Sequence, residues 1–157
     1  MNSAIERLAG LRVKDVMARN VVEIPCHITM SDAAERLAKN EISGAPVVDE
    51  EGHCVGILTA ADFMRREQNV GVDVEHALRR ESPEKPFHID AVADDLVSTH
   101  MTPALQTIPH EATLAEAGRV MCAEHIHRLP VLDDQGHVVG VISSLDLVST
   151  MIGILDE

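Results

Sequence analysis

Two aspartates stand at matching places in this chain. Each lies three residues after a hydroxyl that closes a Gly-apolar-apolar run: Gly56-Ile57-Leu58-Thr59-Ala60-Ala61-Asp62 and Gly140-Val141-Ile142-Ser143-Ser144-Leu145-Asp146. A carboxylate on so short a stem can accept two hydrogen bonds from the cis-diol of a ribose. The hydroxyl and the free N–H groups of a helix start would then face phosphates. Ser/Thr-x-x-acid is also the spacing of a helix capping box, a purely structural device. The chain offers its own control. A second pair of caps, Thr29…Asp32 and Thr113…Glu116, exchanges Asp for Glu, as a pure cap permits, whereas the strand-end pair keeps Asp in both places. The comparison leans toward a role that needs the shorter carboxylate.

The pairing is part of a larger repetition. Residues 13–64 moved forward by 84 positions fall on 97–148 without a gap, and fifteen positions are identical. They include Met17/Met101, Pro25/Pro109, Thr29/Thr113, Pro46/Pro130, Gly56/Gly140 and Asp62/Asp146. In the first copy the patterns predict a strand at Val21–Ile24, a helix opened by Thr29, strands at Ala45–Val48 and Cys54–Leu58, and a helix from Ala60 to Arg66. The second copy repeats the order, with strands at Leu105–Ile108, Leu129–Leu132 and His137–Ile142 and helices opened by Thr113 and ending at Ile152. Each copy is thus β-α-β-β-α behind a short lead, Val13–Met17 or Val97–Met101. The expected division is residues 1–66, a charged linker at 67–95, and 96–157. Short helices are expected in the linker at Val74–Arg80 and toward its end at Ala91–Leu96. Copies of this size are marginal alone and are expected to share apolar surface about a pseudo-twofold axis.

Composition narrows the function. The formal charge of −13 argues against nucleic acid and acidic membranes as partners. With 1% aromatic residues, and no Trp or Tyr, the chain lacks the platforms on which single strands stack. Three cysteines without CxxC spacing suit a reducing cytoplasm. No apolar run approaches a membrane span, and no signal peptide is visible. Histidines raise the question of metal. His125-x-His127 and the matched His53 and His137 are the best candidates, although zinc-finger and His-Glu-x-x-His spacings are absent.

The paired β-α-β-β-α units resemble cystathionine β-synthase (CBS) domains arranged as a tandem pair, a Bateman module. The resemblance rests on Ala45-Pro46-Val47-Val48-Asp49, Leu129-Pro130-Val131-Leu132-Asp133 and the two Gly-apolar-apolar-Thr/Ser-x-x-Asp endings. It implies an α/β (α+β) fold, a homodimer shaped as a flat disc, and an adenosine-type ligand in the cleft between the repeats. On that pattern Asp62 and Asp146 hold ribose hydroxyls, and Thr59 and Ser143 contact ribose or phosphate. Ala45-Pro46 and Leu129-Pro130 line the adenine slot, with Ile24 and Ile108 as apolar walls. His127-Arg128-Leu129-Pro130 is similar to the His-Arg-apolar-Pro segment that γ subunits of AMP-activated kinase use near phosphates. Arg128 then takes the phosphate, bidentately; a surface salt bridge is its other reading. The first copy has Ser43-Gly44 there, with no base, so the half-sites are expected to be unequal.

The expected function is therefore a sensor that binds AMP, ADP, ATP or S-adenosylmethionine as a regulatory ligand, needs no cofactor, and signals to a separate partner protein. A dimeric scaffold without nucleotide and a metal-binding module remain open. Catalysis is not expected, because no nucleophile triad, Walker loop or paired-carboxylate site can be located.

Overall fold

The computed structural model describes residues 2–68, 95–103 and 106–156. The linker helix expected at Val74–Arg80, and residues 91–94 of the other, lie outside them. In chain order the elements are α1 (Asn2–Gly10), α2 (Val13–Val16), β1 (Ile24–Pro25), α3 (Met30–Lys39), β2 (Gly44–Val48) and β3 (Cys54–Thr59). Helix α4 follows at residues 60–68. Then come α5 (Val97–His100), β4 (Thr102–Pro103), β5 (Ile108–Pro109), α6 (Leu114–Glu124), β6 (Arg128–Leu132), β7 (Val138–Ser143) and α7 (Ser144–Leu155). Each copy is the anticipated β-α-β-β-α. The first strand of each is shorter and later than the pattern suggests, because it includes Pro25 or Pro109. Both are outer strands of their sheets, orders β1-β2-β3-β4 and β5-β6-β7, where a missing N–H leaves no ladder bond unmade.

The compact units do not coincide with the two sequence copies. One comprises residues 1–21, 52–54 and 104–157; the other comprises 22–51 and 55–103. Each lead segment is therefore built into the unit made mainly by the other copy. In the first unit, Val13 and Met17 join Ile108, Leu114, Ala117, Met121, Leu129, Val131 and Ile142 in one buried cluster. In the second, Val97 is buried with Ile24, Met30, Ala33, Leu37, Ala45, Val47 and Leu58. Helix α3 buries Met30, Ala33 and Leu37, the stripe expected of a helix with one face on a sheet. Ala34 and Ala38 fall on its outer side.

What anchors the leads is a glycine in each returning strand. Ala18 exchanges two backbone hydrogen bonds with Val141, at 3.0 and 3.1 Å, directly beside Gly140. In the second unit Gly56 and Ile57 pair with Pro103 and Thr102. Neither glycine has a Cβ to hold the crossing chain away.

Candidate functional site

In the first unit Arg128 opens β6 and Ser143 closes β7, directly opposite each other in an antiparallel ladder. Opposed residues project from the same face of a sheet. Helix α7 begins at the next residue. Its first turn is tied back to the neighbouring strand, since the Ser144 N–H donates to the His127 carbonyl at 2.9 Å. Asp146 sits in that turn. Its Oδ2 accepts from the Ser143 N–H at 2.7 Å, while the Asp146 N–H donates to Ser143 Oγ at 3.2 Å, closing the capping box. The other carboxylate oxygen, Oδ1, takes no hydrogen bond from any described residue. The fold thus brings His127, Arg128, Ser143 and Asp146 to one end of one sheet. Asp146 is half-buried, and His127 and Arg128 are exposed.

The matching aspartate is placed differently. Asp62, in the second unit, is buried at 1% exposure. Its Oδ2 accepts from the Thr59 N–H at 2.7 Å and from Thr59 Oγ1 at 3.2 Å. Its Oδ1 accepts from Thr102 Oγ1 at 2.9 Å and from Arg65. Four donors occupy one carboxylate. The cause lies where the copies disagree: Arg65 and Thr102 correspond to Ser149 and Ala18 in the other unit. Ala18 has no donor to offer Asp146. Arg65 and Thr102 escaped the sequence reading, and the signal that would have found them is this break in an otherwise aligned repeat.

The expected apolar walls are interior side chains. Ile24 and Leu129 are fully buried, Ala45 and Ile108 nearly so, and Pro46 and Pro130 lie within buried strand segments. What these residues can offer a ligand is backbone rather than side chain. The histidines divide as well. His53 and His137 stack face to face, ring centroids 5.3 Å apart and 3° from parallel, so their in-plane nitrogens do not converge on a common point. His125 ends α6 in the left-handed conformation (φ 54°), as Glu41 does at the matching place after α3 (φ 55°). Asp133 shapes the β6–β7 turn. Hydrogen bonds from the His137 and Gln135 N–H groups hold its carboxyl below the usual range.

Within the described residues no helix is long and apolar enough to cross a membrane. The family model for the CBS domain matches residues 13–69 and 93–153. An uncharacterized protein of Methanocaldococcus jannaschii is 29% identical over 153 residues, covering 89% of this chain and 90% of that protein. Among solved structures, CBSX2 in complex with AMP superposes with a TM-score of 0.73 at 23% identity, covering 93% of this chain and 99% of that one. The CBS domain pair of protein MJ0100, solved with 5′-methylthioadenosine and S-adenosyl-L-methionine, has a TM-score of 0.64 at 26% identity, covering 91% and 96%. With the family model matched once in each copy, over most of the chain, this protein belongs to the CBS domain family.

Proposed function

We propose that this chain is a regulatory module that binds an adenosine-containing ligand at the Ser143–Asp146 end of the first unit. The observation that carries the reading is the Asp146 carboxylate, anchored through one oxygen and unengaged by described residues at the other. An anchored, half-exposed carboxylate at a helix start is suited to a ribose diol, and the helix N–H groups favour negative charge beside it. Arg128, on the same sheet face as Ser143, supplies the phosphate contact, with His127 next to it. Leu129 and Pro130, whose side chains are buried, offer backbone to the adenine. Thr59 and Asp62, over Ala45, Pro46 and Ile24, make the lesser half-site, because Arg65 and Thr102 compete with any ligand for Asp62. That occupied carboxylate also favours a scaffold role for the second unit. Support from relatives is chemical: 5′-methylthioadenosine, S-adenosyl-L-methionine and AMP share the adenosine that this geometry suits.

The output is regulation of a separate partner rather than turnover, and three cysteines outside any disulfide suit a reducing cytoplasm. A thermal-shift series with AMP, ADP, ATP and S-adenosylmethionine tests the reading. A ligand at a hundred times its Kd stabilises by about 2.7 kcal/mol, which raises Tm by roughly 5–10 °C for a chain of this size. No shift with any of the four returns the module to a scaffold.

The module acts as a homodimer through α7. Leu145, Val148, Ile152 and Leu155 form one exposed stripe at helical spacing on a helix that buries none of its residues. Asp146 is the only charged residue in that helix, so a second copy meets no opposing charge along the stripe. Leu145→Glu combined with Ile152→Glu should convert dimer to monomer in light scattering after gel filtration. A variant that keeps the wild-type mass would place the contact elsewhere.

A further inference from the structure

The described part of the chain holds eight arginines. Arg19 and Arg36 donate to backbone carbonyls, Arg65 and Arg66 pair with carboxylates, and Arg7 and Arg128 are also engaged. Arg12 and Arg119 are different. Neither guanidinium has a hydrogen-bond or ion-pair partner among the described residues, and both line the same hollow of the first unit, about 660 Å³ in volume. In a chain of net charge −13, two unengaged guanidiniums on one hollow are unexpected. Its other walls are Thr107, Ile108, Pro109, Ala112 and Val120, with Glu111 and Glu116 at the edge.

The two carboxylates are already committed. Glu111 is paired with Lys14 at 2.5 Å, and that contact holds its carboxyl below the ordinary range. Glu116 accepts the Thr113 N–H at 2.7 Å and Thr113 Oγ1 at 3.0 Å as the cap of α6. These bonds lower it first, with Arg12 and Arg119 contributing through space. Both guanidiniums therefore act on one locality. With Glu111 held by Lys14, and Asp15 accepting the Arg12 backbone N–H at 2.8 Å, the charges around the hollow balance, and the two guanidiniums are its unengaged donors among the described residues. Each guanidinium has five N–H donors in a planar fork suited to an oxyanion. The hollow is shallow and open, and its four charged residues are exposed. It is also specific to one unit: the positions matching Arg12 and Arg119 are Leu96 and Glu35.

We propose that this hollow is a second ligand site, separate from Asp146, for a small organic oxyanion whose phosphate or carboxylate bridges Arg12 and Arg119 while a short apolar body lies on Pro109, Ala112 and Val120. The Thr107 hydroxyl adds a neutral donor. The site is argued from its own residues and does not depend on nucleotide binding elsewhere.

Inorganic phosphate and succinate are the probes, titrated at matched ionic strength against chloride while the Arg12 and Arg119 Nε–H resonances are followed by NMR. Saturable shifts of both resonances are expected with at least one probe. Response to phosphate alone assigns a phosphoester, and response to succinate alone a carboxylate. Arg12→Gln and Arg119→Gln should each weaken binding at least about tenfold. Asp146→Ala and Arg128→Ala should leave it unchanged. Shifts that never saturate, shifts equal to those from chloride, or binding abolished by Asp146→Ala would each overturn the proposal, the last because the oxyanion would then occupy the nucleotide site.

Discussion

Asp62→Ala is expected to destabilise the protein by about 2–3 kcal/mol, while Asp146→Ala costs about 1 kcal/mol and weakens ligand binding. The two aspartates occupy the same place in the repeat, so the contrast comes from their surroundings. Removing the Asp62 carboxylate deletes a helix cap, worth about 1 kcal/mol. It also takes the acceptor from the half-buried Thr59 N–H and empties a fully buried carboxylate site, whereas the exposed Thr102 hydroxyl can turn to water. The Arg65 ion pair adds little, because that side chain is 59% exposed and water takes over its solvation. Asp146 gives up the matching Ser143 N–H bond, but from a half-exposed position where water takes its place. Its proposed ribose contacts are charge-assisted, so the alanine variant should bind nucleotide at least about 30-fold more weakly. Urea denaturation and calorimetry on both variants check the pair of effects. Equal stability losses, or nucleotide affinity retained in Asp146→Ala, would show that the two carboxylates share a structural role.

A second large effect is expected at the glycines beneath the lead segments. A Cβ on Gly140 would lie 2.8 Å from the Ala18 carbonyl oxygen and 2.5 Å from Met17 Sδ; on Gly56, 2.8 Å from the Thr102 carbonyl oxygen and 2.6 Å from Met101 Sδ. The methionine can swing aside, but the carbonyl cannot move without lengthening the backbone pairing that holds the lead. Gly140→Ala should therefore cost about 2–3 kcal/mol, at the upper end of overpacking. Gly56→Ala should cost more, because displacing Thr102 also takes a donor from Asp62. The midpoint of chemical denaturation checks both variants, and hydrogen exchange at Ala18 and Val141 checks Gly140→Ala. Variants within half a kcal/mol of wild type would mean that the leads are not held by this close approach.

These cases show what repetition can reveal in one sequence. Gly56/Gly140, Met17/Met101 and Asp62/Asp146 are paired in the chain, and the structure gives the glycines and methionines the same task in both units. Where the copies agree, they encode local geometry: strand-end caps, close crossings and the Thr29 and Thr113 helix starts. Where they disagree, they decide chemistry. Arg65 and Thr102 close off one carboxylate, while Ser149 and Ala18 do not close off the other. Arg12 and Arg119 equip one hollow, and Leu96 and Glu35 stand at the matching positions.

The sequence by itself determined the repeat, the β-α-β-β-α order, the helix caps and the family, because these follow from spacing along a few neighbouring residues. Only the tertiary structure decided which carboxylate keeps an oxygen unengaged by the described residues, that each lead segment belongs to the unit built by the other copy, and which arginines have no partner among the described residues. Those outcomes depend on groups 37 to 123 positions apart in the chain, such as Arg65 with Thr102 and Ala18 with Val141. Hydrogen bonding at such separations is settled by packing, and no local period in the chain encodes it.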